Sequence, residues 1–209
     1  MNISIFSFLL TITTLTFGQN INSDGFTKIP DSLSYKHNLY KYINPSDSFN
    51  HWKVIRKNAP KVSLNEYEIL YDSKNSKKIN NSAKELTPKK GFFIECMPSY
   101  CFTFIIAYKQ KGVNCYSSFE EFRSFIGYID NLPEALLTIA TYDLWYDENY
   151  FNAGSYKIEK DFIYLYLKKS TACPYTLESI FVTLNRQTGE ITTKNLGVYY
   201  RFEKDCTIS

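Results

Sequence analysis

The last third of the chain constrains the fold most, because its apolar residues occur in short runs separated by turn residues. The runs have the length of β-strands and cover residues 155–159, 162–167 and 180–185, with a last run from 190 to 193 or on to 202. The clearest turn lies within 184–191, where Gly189 can adopt the positive φ that a hairpin turn requires. This pattern predicts a mainly antiparallel sheet.

Two further strands are expected closer to the middle of the chain. Residues 92–96 and 101–110 are apolar and rich in aromatic side chains, and a turn containing Pro98 separates them. They predict a β-hairpin that ends near Gly112. Because both faces of 101–110 are apolar, we expect it to be an inner strand.

Helix-start signals follow the hairpin. Ser117 and Ser118 each precede a glutamate by three residues, so either serine can form a capping box. A second start is predicted at Asn131, where Pro133 is tolerated in the first turn. We therefore expect an α+β fold, in which a sheet of about five or six mainly antiparallel strands carries a helical pair at 117–142 on one face.

The first 18 residues have no charged side chain and are apolar from Ile3 to Phe17. With Thr16 and Gly18 just before Gln19, they predict a secretory signal peptide that is cut before Gln19. A buried strand at 3–8 is the alternative. No cysteine follows the junction to accept a lipid, and no later apolar run is long enough to span a bilayer. We therefore expect a secreted or periplasmic protein without a transmembrane or lipid anchor.

Residues 19–90 are polar and lack a sustained apolar period. Prolines recur through this segment, at Pro30, Pro45, Pro60 and Pro88. The composition predicts a partly ordered N-terminal arm, with a short helix at 35–43 and a strand at 62–71. A compact α+β domain is expected to cover 91–209.

All five cysteines lie between residues 96 and 206, and in an oxidising compartment they favour disulfide bonds over metal binding. Cys96 and Cys101 flank a short turn, and an antiparallel meander would bring Cys173 and Cys206 to one end of the sheet. The remaining residue, Cys115, precedes a predicted helix whose dipole would lower the pKa of its thiol. No base accompanies it, so a bridged or buried cysteine is the favoured interpretation.

Three acidic residues, Asp143, Asp147 and Glu148, are candidates for a cation site or for paired catalytic carboxylates. Counted from Asp147, the sixth position of an EF-hand loop is Asn152 rather than glycine. Solvated surface acids are therefore the favoured interpretation. The sequence also has no phosphate-binding loop and no GxSxG or HExxH motif, so we expect no metal or cofactor.

The net charge of +3, from 24 basic and 21 acidic residues, is too balanced to predict nucleic-acid binding. Aromatic residues are abundant, with 18 Tyr and 16 Phe, which suits a binding surface, although a nucleotide bias in the source genome explains it equally well. Strand alternation places Phe162, Tyr164 and Tyr166 on one face. The N-terminal arm either covers this face or leaves it open to a protein or small-molecule ligand.

These observations predict a non-catalytic binding or interaction domain. The alternative is an exported enzyme without a familiar motif, in which the acidic cluster or Cys115 carries the chemistry.

Overall fold

The computed structural model describes residues 25–59, 66–74, 86–96 and 100–202. Within them the chain forms ten strands and two α-helices. The strands are β1 (Thr27–Lys28), β2 (His51–Lys57), β3 (Tyr67–Asp72), β4 (Phe92–Glu95), β5 (Cys101–Lys109), β6 (Gly112–Tyr116), β7 (Ser155–Ile158), β8 (Phe162–Ala172), β9 (Tyr175–Asn185) and β10 (Ile191–Phe202). The helices are α1 (Phe119–Ile126) and α2 (Leu132–Ala140).

The strands form two antiparallel sheets of five strands each, where the sequence predicted one sheet of five or six. In the first sheet the order is β3-β2-β5, and β4 and β6 share the other edge of β5. The apolar strand β5 is therefore an inner strand, as its pattern predicted. The second sheet has the order β1-β7-β8-β9-β10.

Local signals fixed the helix starts and one hairpin. The side chain of Ser118 accepts a hydrogen bond from the Glu121 backbone at 3.2 Å, and Glu121 Oε2 accepts one from the Ser118 backbone at 3.0 Å. The capping box therefore uses Ser118 as N-cap, and at the start of α2 the Asn131 side chain accepts a hydrogen bond from the Glu134 backbone at 3.0 Å. The predicted hairpin joins β9 to β10, with Gly189 at φ 70°.

One hydrophobic core joins both sheets, both helices and the N-terminal segment. It includes Phe122 and Phe125 of α1 and Ile163 and Leu165 of β8, all buried. From the predicted arm it takes residues with almost no exposed surface, namely Ile29, Leu39, Tyr40, Trp52 and Val54. The first sheet thus contains strands from both sides of residue 91.

Two details of the predicted arm differ in the structure. Residues 35–43 form two short 3-10 turns, at Lys36–Asn38 and Tyr40–Tyr42, rather than one helix. The strand expected at 62–71 begins, within the described residues, at Tyr67. The proposed signal peptide at 1–18 and Cys206 lie outside the described residues. No helix in the part of the chain that the structure describes has the length and apolarity to cross a bilayer.

Candidate functional site

The outer side of the second sheet carries a row of contacting aromatic rings. Along β8, Ile163 and Leu165 point into the core, whereas Phe162, Tyr164 and Tyr166 point to the opposite side. Rings from β9 and from the residue before β1 complete this row. We call the set the aromatic face, and it consists of Phe26, Phe162, Tyr164, Tyr166 and Phe181.

Ring contacts within the aromatic face are close and continuous. The ring centroids of Tyr166 lie 4.8 Å from Phe26 and 5.1 Å from Phe181. Tyr164 lies nearly parallel to Phe181, at 6.1 Å and 9°, and Phe162 lies 6.3 Å from Tyr164. Offset and tilted contacts of this kind stabilise aromatic clusters by about 0.5–1.5 kcal/mol per pair beyond the area that they bury.

Solvent access varies along the aromatic face. Phe26, in the predicted N-terminal arm, covers Tyr166, which is only 6% exposed. At the other end Phe162 is 37% exposed. Both interpretations of this surface therefore hold in part, since the arm covers one end and the other end is open.

A cavity of about 470 Å³ begins at the open end. It is lined by Tyr142, Phe162, Thr183, Asn185, Glu190, Ile191 and Thr192. Its volume lies within the range of roughly 300–1,000 Å³ that is typical of small-molecule sites. Its lining combines aromatic and polar side chains, so it can contact both the apolar and the polar parts of a ligand.

Specific contacts hold two of the lining residues in place. The Tyr142 hydroxyl donates to the Gly189 carbonyl at 3.0 Å, and the Arg123 guanidinium lies 4.8 Å from the Tyr142 ring. Asn185 Oδ1 accepts hydrogen bonds from the backbone of Gln187 and Thr188, at 2.8 and 3.1 Å. The Asn185 amide nitrogen, which has no partner among the described residues, is therefore available as a donor.

The acidic candidates do not converge on one site. Burial disfavours the ionised form of Asp147, but hydrogen bonds from the Tyr199 hydroxyl at 2.7 Å and the Asn149 backbone at 2.9 Å outweigh it. The pKa of Asp147 is consequently below its ordinary value, the opposite of what a general acid needs. Asp143 lines a second cavity, separate from the one beside Phe162, and Glu148 is exposed. The described residues contain no group of three His, Cys, Asp or Glu that could hold a metal ion.

Cys115 lies on β6 opposite Ile106, and its side chain packs against a small apolar cluster on the first sheet. The thiol does not have the lowered pKa that a nearby helix dipole can cause. Burial and the nearby charge of Glu121 raise the pKa of Cys115 to about 11. The glutamate that caps α1 thus counteracts the helix dipole at this thiol.

The predicted short disulfide is confirmed, since Cys96 and Cys101 are bonded with their Cα atoms 5.3 Å apart. Cys173 is also disulfide-bonded. Because Cys206 lies outside the described residues, the pairing of Cys173 with Cys206 stays a prediction. Cys115 is the only free cysteine in the described ranges.

Sequence reasoning missed three aromatic residues of the aromatic face and its adjoining cavity, namely Phe26, Phe181 and Tyr142. Phe181 was detectable, because Phe181 and Thr183 alternate with the apolar Ile180 and Val182 along β9. Phe26 and Tyr142 carry no local signal, since their positions depend on how distant segments pack.

A separate charged cluster lies on the first sheet. Lys53 Nζ and His51 Nε2 approach the two oxygens of Asp72, at 2.9 and 2.7 Å. The His51 ring stacks on Tyr108 at 5.3 Å. These side chains are largely buried, and none of them lines either of the two cavities beside β8.

Comparison with known proteins finds no matching family model, no matching curated protein and no matching solved structure.

Proposed function

We propose that the protein is a non-catalytic binding protein whose ligand packs on the open end of the aromatic face and enters the adjoining cavity. One observation carries this proposal. The side chain of Phe162 is exposed, belongs to the row of stacked rings and also forms a wall of the cavity of about 470 Å³. A ligand at this position would contact the rings and the polar lining together.

The lining favours a ligand with an apolar face and several hydroxyl groups, which is the chemistry of a saccharide. Tyr142 and Phe162 offer ring surfaces, and Thr183, Thr192 and Asn185 offer hydroxyl and amide groups. Sites for small polar ligands combine such apolar walls with a few polar groups that fix orientation. The lowered pKa of Asp147 and the raised pKa of Cys115 favour binding over the enzymatic alternative.

We further propose that the protein acts outside the cytoplasm. The disulfide between Cys96 and Cys101 supports this, because such bonds persist mainly in oxidising compartments. The mass of the exported protein tests the location. We expect a chain that begins at Gln19, and retention of Met1 in exported material would contradict the proposed processing.

Binding to an array of oligosaccharides tests the function. The informative variant is Phe162→Ala, and its matched control is Phe119→Ala on α1, because both phenylalanines are 37% exposed. We expect the first substitution to weaken binding of a retained saccharide by up to roughly tenfold, since stacking on an aromatic ring stabilises by about 0.5–1.5 kcal/mol. The control should bind like the unmodified protein.

Two outcomes would overturn the proposal. One is an array on which no saccharide is retained above background. The other is an equal loss of binding in both variants, which would mean that the aromatic face has no special role.

A further inference from the structure

A second cavity, of about 210 Å³, lies at the edge of β8. It is lined by Ser34, Lys36, Ala140, Asp143, Leu144, Trp145, Lys168 and Ser170. It shares no lining residue with the cavity of the proposed function, and the inference drawn from it does not depend on that function. Because its volume is below the usual range for drug-sized ligands, its occupant must be small.

The backbone holds two of the lining residues in fixed positions. Strand β7 pairs with β8 only as far as Tyr166. Beyond that point Trp145 pairs with the same edge of β8, because its backbone exchanges hydrogen bonds with that of Lys168, at 3.3 and 2.6 Å. The side chains of Trp145 and Lys168 therefore start from a paired, ordered backbone.

The charges around the cavity are two lysines and one aspartate. The Lys36 ammonium lies 4.5 Å from the Phe93 ring centroid and 4.0 Å from Glu95 Oε1, so it is partly engaged. Lys168 forms no ion pair with any residue that the structure describes. Its charge helps to lower the pKa of Asp147, but no carboxylate lies within 4.0 Å of it among the described residues, so its ammonium can pair with a bound anion.

Hydroxyl groups add further binding capacity. The side chains of Ser34 and Ser170 form no hydrogen bond with another residue in the described ranges, and both line the cavity. An anion placed beside Lys168 would have these hydroxyl donors within the same small cavity. The half-buried Trp145 ring would cover the uncharged part of the ligand.

We propose that this cavity binds a small organic monocarboxylate, whose carboxylate pairs with Lys168 and whose apolar part packs on Trp145. The net charge of the lining is one positive unit, from Lys36, Lys168 and Asp143. A singly charged ligand balances this charge, whereas a dianion exceeds it and is repelled about twice as strongly by the Asp143 carboxylate.

The matched probes benzoate and benzamide test the proposal, because they share size and shape and differ in charge. The chain has two tryptophans, so the indole N–H signals in a heteronuclear NMR spectrum provide the readout. Trp145→Phe assigns the signals. At about 10 mM, in the range expected for so small a ligand, benzoate should shift the Trp145 signal and leave that of buried Trp52 unchanged.

Substitutions then locate the charge contact. Lys168→Met should weaken benzoate binding roughly tenfold, as expected for loss of a hydrogen bond to a charged group. Its control is Lys169→Met, the exposed neighbour on β8 that does not line the cavity. Asp143→Asn should strengthen benzoate binding by roughly threefold, since it removes a like charge. Asparagine also tolerates the positive φ of 58° at this position.

Three results would each overturn the inference. The first is a Trp145 signal that does not shift at about 10 mM benzoate. The second is equal affinity for benzoate and benzamide, and the third is equal loss of benzoate binding in Lys168→Met and Lys169→Met.

Discussion

Lys53 and Asp72 form an ion pair across β2 and β3, with Nζ 2.9 Å from Oδ2, although the lysine side chain is only 1% exposed. His51 occupies the other carboxylate oxygen at 2.7 Å. Burying a charge is costly unless it is paired, so each partner permits the other to lie inside the fold. This pair lets a lysine occupy a position in the middle of a buried strand.

Removing the carboxylate should therefore destabilise the protein. We expect Asp72→Asn to lower the free energy of unfolding by about 3 kcal/mol, because it leaves the Lys53 charge buried without its counter-ion. Urea denaturation measures the change. The control is Glu66→Gln, whose partner Lys57 lies 3.8 Å away in an exposed pair, and it should change stability by less than about 0.5 kcal/mol. Equal effects would contradict the role of Asp72.

The same carboxylate predicts how stability depends on pH. Burial disfavours the ionised form of Asp72, but hydrogen bonds from Lys53, the Lys74 backbone and His51 outweigh it and hold its pKa below the ordinary 3.8. The folded state therefore binds the Asp72 proton less tightly than the unfolded state does. Ionised Asp72 stabilises the fold at pH values above the ordinary pKa of 3.8, and this stabilisation is lost as the pH falls through the lower pKa of the folded state. The stability difference between the unmodified protein and Asp72→Asn should shrink from about pH 5 to pH 2. Urea midpoints across this range check it, and a constant difference would rule it out.

Glu134 predicts a second stability effect, on α2. This fully buried side chain accepts hydrogen bonds from the backbone of Asn44 at 2.6 Å and of Asp130 at 2.7 Å, one on each oxygen. Glu134→Gln turns an amide donor toward one of these N–H groups, so we expect a loss of about 2 kcal/mol. Hydrogen exchange should also become faster at the backbone N–H of Asn44. The exposed Glu120→Gln serves as the control, and an unchanged Asn44 exchange rate in Glu134→Gln would argue against the contact.

Cys115 should react slowly in the folded protein. With a pKa of about 11, only about one thiol in a thousand is ionised at pH 8. Alkylation by iodoacetamide should be at least about tenfold slower than in denatured protein, because the higher intrinsic reactivity of a basic thiolate offsets part of the effect. Mass spectrometry of the modified peptide follows the rate, with Cys115→Ser as the blank. Rapid modification of the folded protein at neutral pH would contradict the raised pKa.

The helix starts and the final hairpin could be predicted because their determinants are local. Ser118 and Glu121 bond to each other's backbone within one turn, so residue type and spacing suffice. The turn at Gly189 likewise needs only a residue that tolerates a positive φ.

The division of the strands into two sheets and the full aromatic face could not be predicted, because both depend on distant partners. In β2, Lys53 interrupts the apolar pattern. Its burial is explained by the ion pair with Asp72, which lies on β3 and is not adjacent in sequence. Alternation grouped Phe162 with its neighbours on β8, but the position of Phe26 requires the pairing of β1 with β7. No local pattern carries that information.

The pairing of β1 with β7 also determines when the protein can fold. Thr27 lies opposite Tyr156, so the first of the described strands has no partner in its sheet until synthesis has reached β7. Contacts between such distant residues form slowly, because a long loop must close first. The nascent chain therefore remains without its second sheet until β7 and the strands after it have been made, and a truncated chain that ends before β7 leaves Phe26 with no aromatic face to cover.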